Sequence, residues 1–517
     1  MADHSGPSGP RSGDAFDRAR ALERSGDLAG ALAAYEAALA AQPNDPDILA
    51  ALAALAGRME MHEVAAALWA QVSRAQPGRL EALDGRARAL RDLGRFDEAI
   101  GLLRETLLAN PAEPRLWNSL GVTLTQDGQA ELALTFLDEA VRLDPSLATA
   151  SYNRGNAHFD LGQLDAAGAD YAAAAKASQD PAEGAVIAFA RATLALARGD
   201  LAKGWDEYQV RLSPLWPKAV TFDAPGRRWT PSDDLAGRHL LVLAEQGLGD
   251  ELMFANILPD VVRALGPDGQ LSLAVEPRLV QLFRRSFPTA QVGPHATDSH
   301  DGRRRRSAPH LTSPRPVDLW APMGALPQGF RRALADFPTT PGYLKPDPAR
   351  VAHWKAWLGE GPPAVGITWR SGKMGGDRQR QYPPPDLWAP IVRTPGLRVV
   401  NLQYGDCADE LAELAALAGR PILQPPGLDL RQDLDGLAAL AVALDLTISV
   451  SNATAALAGA CGAPLLLIGG PANWARLGTD AYPWYPQARM LTAQRFGDWA
   501  QPMAGAAAEA AKLARPD

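Results

Sequence analysis

Three short stretches of this sequence carry residue types that could do chemistry. In Gly247-Leu248-Gly249-Asp250 a carboxylate closes a glycine turn that follows the apolar run 240–244, and Glu245 stands at the end of that run. A carboxylate at such a loop tip can take a proton from a hydroxyl, so Asp250 is the first candidate for a general base and Glu245 the reserve. The competing reading is that Asp250 is an N-cap, since Asp satisfies first-turn amides whatever the protein does. In Arg370-Ser371-Gly372-Lys373, with Arg378 and Arg380 close behind, cations and backbone amides gather directly after a second apolar run and could hold an anion. A solvated basic loop is the plain alternative. In Ser451-Asn452-Ala453-Thr454, hydroxyls, amides and the dipole of the helix that follows would converge on an anion or nucleotide.

These stretches need elements to hold them. HLLVLAEQGLGDELMFANILP, residues 239–259, reads as a buried strand feeding a helix through a glycine turn, the first βα unit of a nucleotide-type α/β domain. Before it the chain repeats itself. Prolines stand 34 residues apart at Pro43, Pro77, Pro111 and Pro145. In the same register fall small residues (Ala31, Ala65, Ala99, Ala133, Ala167) and bulky ones (Tyr35, Trp69, Leu103, Leu137, Tyr171). Gly26, Gly94, Gly128 and Gly162 end first helices, as a left-handed cap requires. The period and pattern are those of the tetratricopeptide repeat (TPR), five units without a gap and a sixth, looser one at GDLAKGWDEYQVR. Such an array presents a concave face to an extended peptide. Asn118, Asn153 and Asn156, on first helices, are the candidate acceptor-binding residues, against the alternative of ordinary solvated positions.

The expected organisation is a disordered tail at 1–11, the array at 12–216, a linker at 217–236, and two α/β domains at 237–348 and 349–517. Strands are expected at 240–244, 271–275 and 317–319 in the first domain, and at 364–369, 397–402, 421–423, 446–450 and 465–468 in the second. Helices are expected at 408–417, 434–443 and 453–461. Residues 295–316, with the run Arg303 to Arg306, read as a solvated, mobile loop. Asp433-Leu434-Asp435 spells DxD but opens a helix, which favours capping. Trp484-Tyr485-Pro486 reads as stacking on a ligand ring or as packing at the domain edge.

Composition sets limits. With 517 residues, two or three cores are expected. A net charge of -8 argues against general nucleic-acid binding. Cys407 and Cys461 are the only cysteines and imply reduced thiols, no disulfide framework and no cysteine zinc site. No His/carboxylate spacing implies a metal or a resident cofactor. The N-terminus lacks an apolar signal region and no apolar stretch reaches bilayer length, so a soluble, cytoplasmic protein without a membrane span is expected.

EQGLGDELMFANILP, GWDEYQVR, GITWRSGK, DRQRQYPPPDLWAPI, LDLTISVSNATAALAGACGAP and YPWYPQARM follow the order seen in bacterial proteins that join TPRs to a GT-B glycosyltransferase domain. The chain resembles these over nearly its whole length after residue 12, and within them most resembles alphaproteobacterial flagellin glycosyltransferases; the GT-B part is similar to heptosyltransferases and, more distantly, to O-linked N-acetylglucosamine transferases. The resemblance implies an all-α TPR superhelix followed by two Rossmann-like domains with a cleft between them. It implies Asp250 as the base that deprotonates a Ser or Thr hydroxyl. The nucleotide-sugar site it implies comprises Gly247, Gly249, Arg370, Ser371, Lys373, Arg378, Arg380, Ser451, Asn452 and Thr454, with the cations stabilising the leaving nucleotide. Relatives carry Asp-Thr where this chain has Ser451-Asn452, and His where it has Ala456. That departure speaks against an ADP- or UDP-sugar and fits a CMP-linked donor such as a nonulosonic acid; it equally fits decay into a non-catalytic, protein-binding scaffold. Flagellin is the acceptor the resemblance implies. A third reading, a heptosyltransferase acting on lipopolysaccharide, leaves the repeats without a role.

Overall fold

A computed structural model describes residues 12–300, 302–311, 315–372, 380–471 and 473–514. The tail 1–11, Lys373 and Arg378 lie outside the described residues. Twelve helices, from Ser12–Arg24 to Leu201–Tyr208, form the array as antiparallel pairs. The residues repeating every 34 positions are its core: Ala31, Ala99, Ala133, Ala167, Leu103 and Leu137 are fully buried. Gly26, Gly94, Gly128, Gly162 and Gly199 end first helices with φ between 70° and 88°. The second unit has Glu60 in that place, also left-handed at φ 60°.

Thirteen strands follow among the described residues: β1 (Thr221–Asp223), β2 (Arg227–Arg228), β3 (His239–Leu243), β4 (Gln270–Val275), β5 (Gln291–Pro294), β6 (Ala296–His300), β7 (Arg303–Ser307), β8 (Leu319–Pro322), β9 (Ala364–Thr368), β10 (Arg398–Asn401), β11 (Leu446–Val450), β12 (Leu465–Gly469) and β13 (Ala488–Thr492). The first α/β unit carries the sheet β2-β8-β3-β4-β5 and the second β10-β9-β11-β12-β13, each five-stranded and parallel throughout. Strands β3, β9 and β12 are buried along their whole length, as parallel strands covered on both faces must be. The arrangement is consistent with Rossmann-like folds.

Three expectations are corrected. The stretch read as a linker supplies β1 and β2, the latter an edge strand of the first sheet. The stretch read as a mobile basic loop is a hairpin, β6 antiparallel to β7, with β1 added alongside. Two of its arginines are held: Arg305 pairs with Asp298 at 2.7 Å, and buried Arg306 donates to Thr297 and His295. Residues 421–423 make only an isolated bridge to β10, and β5 and β13 were not anticipated, because both are short and their burial alternates less cleanly.

The array is cemented to the α/β units rather than tethered to them. Trp205, on the last array helix, is fully buried and meets Phe254, Trp474 and Trp484 edge-on at centroid distances of 6.0 to 6.2 Å. One apolar cluster therefore runs from the sixth repeat through both units. Trp484 packs within this core, whereas its neighbour Tyr485 also lines the cleft between the two sheets.

Candidate functional site

A cleft of about 780 Å³ opens between the two parallel sheets. One wall is the turn after β3, Gly247 to Asp250, and the other is the turn after β11, Ser451 to Thr454. Both turns stand at carboxyl ends of strands, where the loops of an open α/β sheet leave room for ligands.

Gly247 is the N-cap of the helix Leu248–Phe254, so Asp250 sits in its first turn and is not the cap itself. The Asp250 carboxylate folds back over Gly247: a Cβ added there would lie 3.4 Å from Oδ2. Asp250 is part-exposed and lines the cleft. Gly249 abuts the opposite wall, where an added Cβ would lie 3.8 Å from Ala453 Cα. Burial first, and then the Asp250 carboxylate, push the Tyr482 phenol above its ordinary pKa, which keeps a protonated hydroxyl beside the acid.

Asn452 caps the helix Ala453–Ala460, accepting from Ala455 N–H at 3.0 Å. Its amide nitrogen donates to Thr368 Oγ1 at 2.9 Å and to the Arg370 carbonyl at 3.1 Å, tying this turn to the end of β9. Ser451 is exposed at the cleft and Thr454 is buried in its wall, with Oγ1 lacking a partner. Ser371 lines the cleft too. Buried Gln403 shapes this loop, its Oε1 accepting from Thr368 Oγ1 and from the amides of Trp369 and Arg370 at 2.9 to 3.0 Å.

Several expected site residues are elsewhere. Glu245 is buried, paired with buried Arg211 at 2.7 Å, and accepts from Gly324 N–H; it joins the last repeat to β3 and has no access to the cleft. Arg370 turns away to Glu410 at 2.7 and 2.9 Å, and this pairing holds its pKa above the ordinary value. Arg380 leaves the cleft altogether and binds the Asp160 carboxylate and the Thr125 carbonyl in the array, at 2.7 and 2.8 Å. On the repeats, Asn153 donates to Asn118 at 2.9 Å and Asn156 accepts from Tyr171 at 2.8 Å. Asp433 caps the helix Leu434–Ala443 and pairs with Arg350, while Asp435 pairs with Arg285, so the DxD serves structure.

The cleft also contains cations that were not anticipated: Lys218, Arg278 and Arg431. Arg278 Nε is held by Glu276 at 2.7 Å, and its Nη1 reaches the carbonyl of Arg431 in the second unit at 2.7 Å, linking the two walls. Its signal was its place: it lies three residues beyond β4, at another carboxyl end of the same sheet. Among the described residues no group of three or more His, Cys, Asp or Glu side chains is gathered to hold a metal ion. No helix among them is long and apolar enough to cross a membrane.

Family models described as tetratricopeptide repeat match residues 85–148, 140–182 and 15–55. Protein FlbA of Caulobacter vibrioides is 46% identical over 492 residues, covering 95% of this chain and 82% of that protein. Among solved structures, the thermophilic TPR protein TTC0263 of Thermus thermophilus is 22% identical, with a TM-score of 0.31, and covers 35% of this chain and 99% of that one. MamA (41-end) from Desulfovibrio magneticus is 20% identical, with a TM-score of 0.29, over 34% of this chain and 99% of that one.

Proposed function

The chain belongs to the family of Protein FlbA of Caulobacter vibrioides, and from that premise we propose that it is a metal-independent protein O-glycosyltransferase of GT-B type. The repeats hold an acceptor protein, and the cleft transfers a sugar from a nucleotide-sugar to a Ser or Thr hydroxyl. The observation that carries this reading is the meeting of the Asp250 turn and the Ser451 to Thr454 turn across one cleft wide enough for a nucleotide-sugar. Asp250 takes the proton as the hydroxyl oxygen attacks the anomeric carbon, and the bond from that carbon to the nucleotide breaks with its electron pair going to phosphate. The amides at the start of the helix Ala453–Ala460, with Lys218, Arg278 and Arg431, offset the charge that grows on the leaving group. Lys373 and Arg378 join this set on sequence resemblance alone. So do flagellin as acceptor and a CMP-linked nonulosonic acid as donor.

Intact-mass analysis of flagellin from cells carrying the wild-type protein or Asp250→Ala tests the reading. The expected result is loss of a sugar-sized mass in the mutant, with transfer in vitro reduced by about 10²-fold or more. Flagellin of unchanged mass in the mutant would remove Asp250 as base. Flagellin equally unmodified in the presence of wild-type protein would favour the rival reading, a TPR scaffold whose cleft no longer turns over, for which the use of Asn452 as a structural clamp is the supporting observation.

A further inference from the structure

Arg380 was expected at the donor and is found in the array, and that displacement has a consequence for the acceptor. Its side chain is 14% exposed. The guanidinium lies 4.3 Å over the Phe496 ring, Nη1 is shared between Asp160 and the Thr125 carbonyl, and Nε is buried with no acceptor. The next two residues, Gln381 and Tyr382, line the cleft. One turn of chain thus connects the repeats to the wall of the transfer site.

At that junction is a cavity of about 200 Å³, lined by Val122, Asn153, Asn156, Phe159, Asp160 and Arg380. It is smaller than the roughly 300 Å³ at which small-molecule pockets begin, which argues against a nucleotide or a metabolite. Its chemistry is an apolar floor (Val122, Phe159), three carboxamides (Asn153, Asn156 and Gln126, which also lines it), the Asp160 carboxylate and a guanidinium N–H that lacks an acceptor. An extended peptide supplies what is missing, since each residue carries a carbonyl to accept from Arg380 and amide groups to meet Asn153 and Asn156.

Resting on the transferase reading above, we infer that this junction cavity holds the acceptor main chain next to the residue being modified, with Arg380 Nε donating to one of its carbonyls. Arg380 is then a positioning residue on the acceptor side and takes no part in donor binding. The Asp160 carboxylate and the Phe496 ring hold its guanidinium in place before the acceptor arrives.

The test uses the full-length protein and unmodified flagellin purified from cells lacking it, with CMP and UDP as donor-side probes read by thermal protection. Arg380→Ala is expected to weaken flagellin binding about tenfold, the weight of one hydrogen bond to a charged donor, while the nucleotide concentration giving half-maximal protection stays within about twofold. Val122→Trp fills the cavity while leaving Arg380 and Asp160 in the chain, and is expected to give the same pattern, which keeps the test decisive should Arg380→Ala unfold. Wild-type binding of flagellin by the properly folded variants overturns the site. Loss of nucleotide protection with flagellin binding intact overturns it too and returns Arg380 to the donor. If the wild-type protein binds no flagellin, the acceptor reading fails and this site with it, an outcome distinct from the first two.

Discussion

Asp250 and Glu251 are neighbours in sequence with opposite environments. Asp250 opens on the cleft, whereas Glu251 is 3% exposed and accepts the Glu276 N–H at 2.9 Å. Burial, against that hydrogen bond, pushes the Glu251 carboxyl up from 4.5 to about 8. The folded protein therefore keeps this proton up to about pH 8, while the unfolded chain releases it near 4.5. Between those values the folded state binds more protons, so stability falls as pH rises, by up to about 1.4 kcal/mol per pH unit. Glu251→Gln keeps an oxygen for the Glu276 amide and removes the titration. Its melting temperature should decline less than that of wild type between pH 5 and pH 8; parallel declines would refute the assignment. The sequence reading singled out Asp250 and did not weigh Glu251; the phase of the helix Leu248–Phe254 turns the first to the cleft and the second into the core.

At the scale of elements, the 34-residue register was legible because each repeat buries the same positions against its neighbour. Its irregularity at Glu60 is equally informative. Glu60 occupies the left-handed position that glycine fills in the other units, and an L side chain is strained there. Glu60→Gly should stabilise the array by about 0.5–1 kcal/mol in urea unfolding, the relief of strain less the added freedom of the unfolded chain. A lower unfolding midpoint would show that the Glu60 side chain contributes more than its backbone costs. The strands β3, β9 and β11 were legible as short apolar runs that stop at a turn. The hairpin of β6 and β7 was not: apart from Ala296, ATDSH and RRRRS are polar, and they become strands because Asp298 and Arg305 pair across them and β1 adds from a distant part of the chain.

At the scale of the whole molecule, Glu245 shows what a strand end can be used for. Its ion pair with Arg211 is more than nine-tenths buried on both sides and joins the sixth repeat to the first sheet. Removing one partner leaves the other charge stranded, so Glu245→Ala should cost about 3–5 kcal/mol in urea unfolding. A variant of unchanged stability that lost transfer activity would instead restore Glu245 to the chemistry. The sequence by itself determined the repeat count, the inner strands of the two parallel sheets and the turns that become the cleft walls, because these follow from local periodicity and from where strands stop. Which cations face the cleft was decided only by the tertiary structure. Arginine is long, always charged and able to bond in several directions, so its position in sequence fixes only a sphere of reach. Arg370 and Arg380 were drawn off by Glu410 and Asp160, 40 and 220 residues away, while Arg278 was drawn across the cleft to the carbonyl of Arg431, 153 residues on.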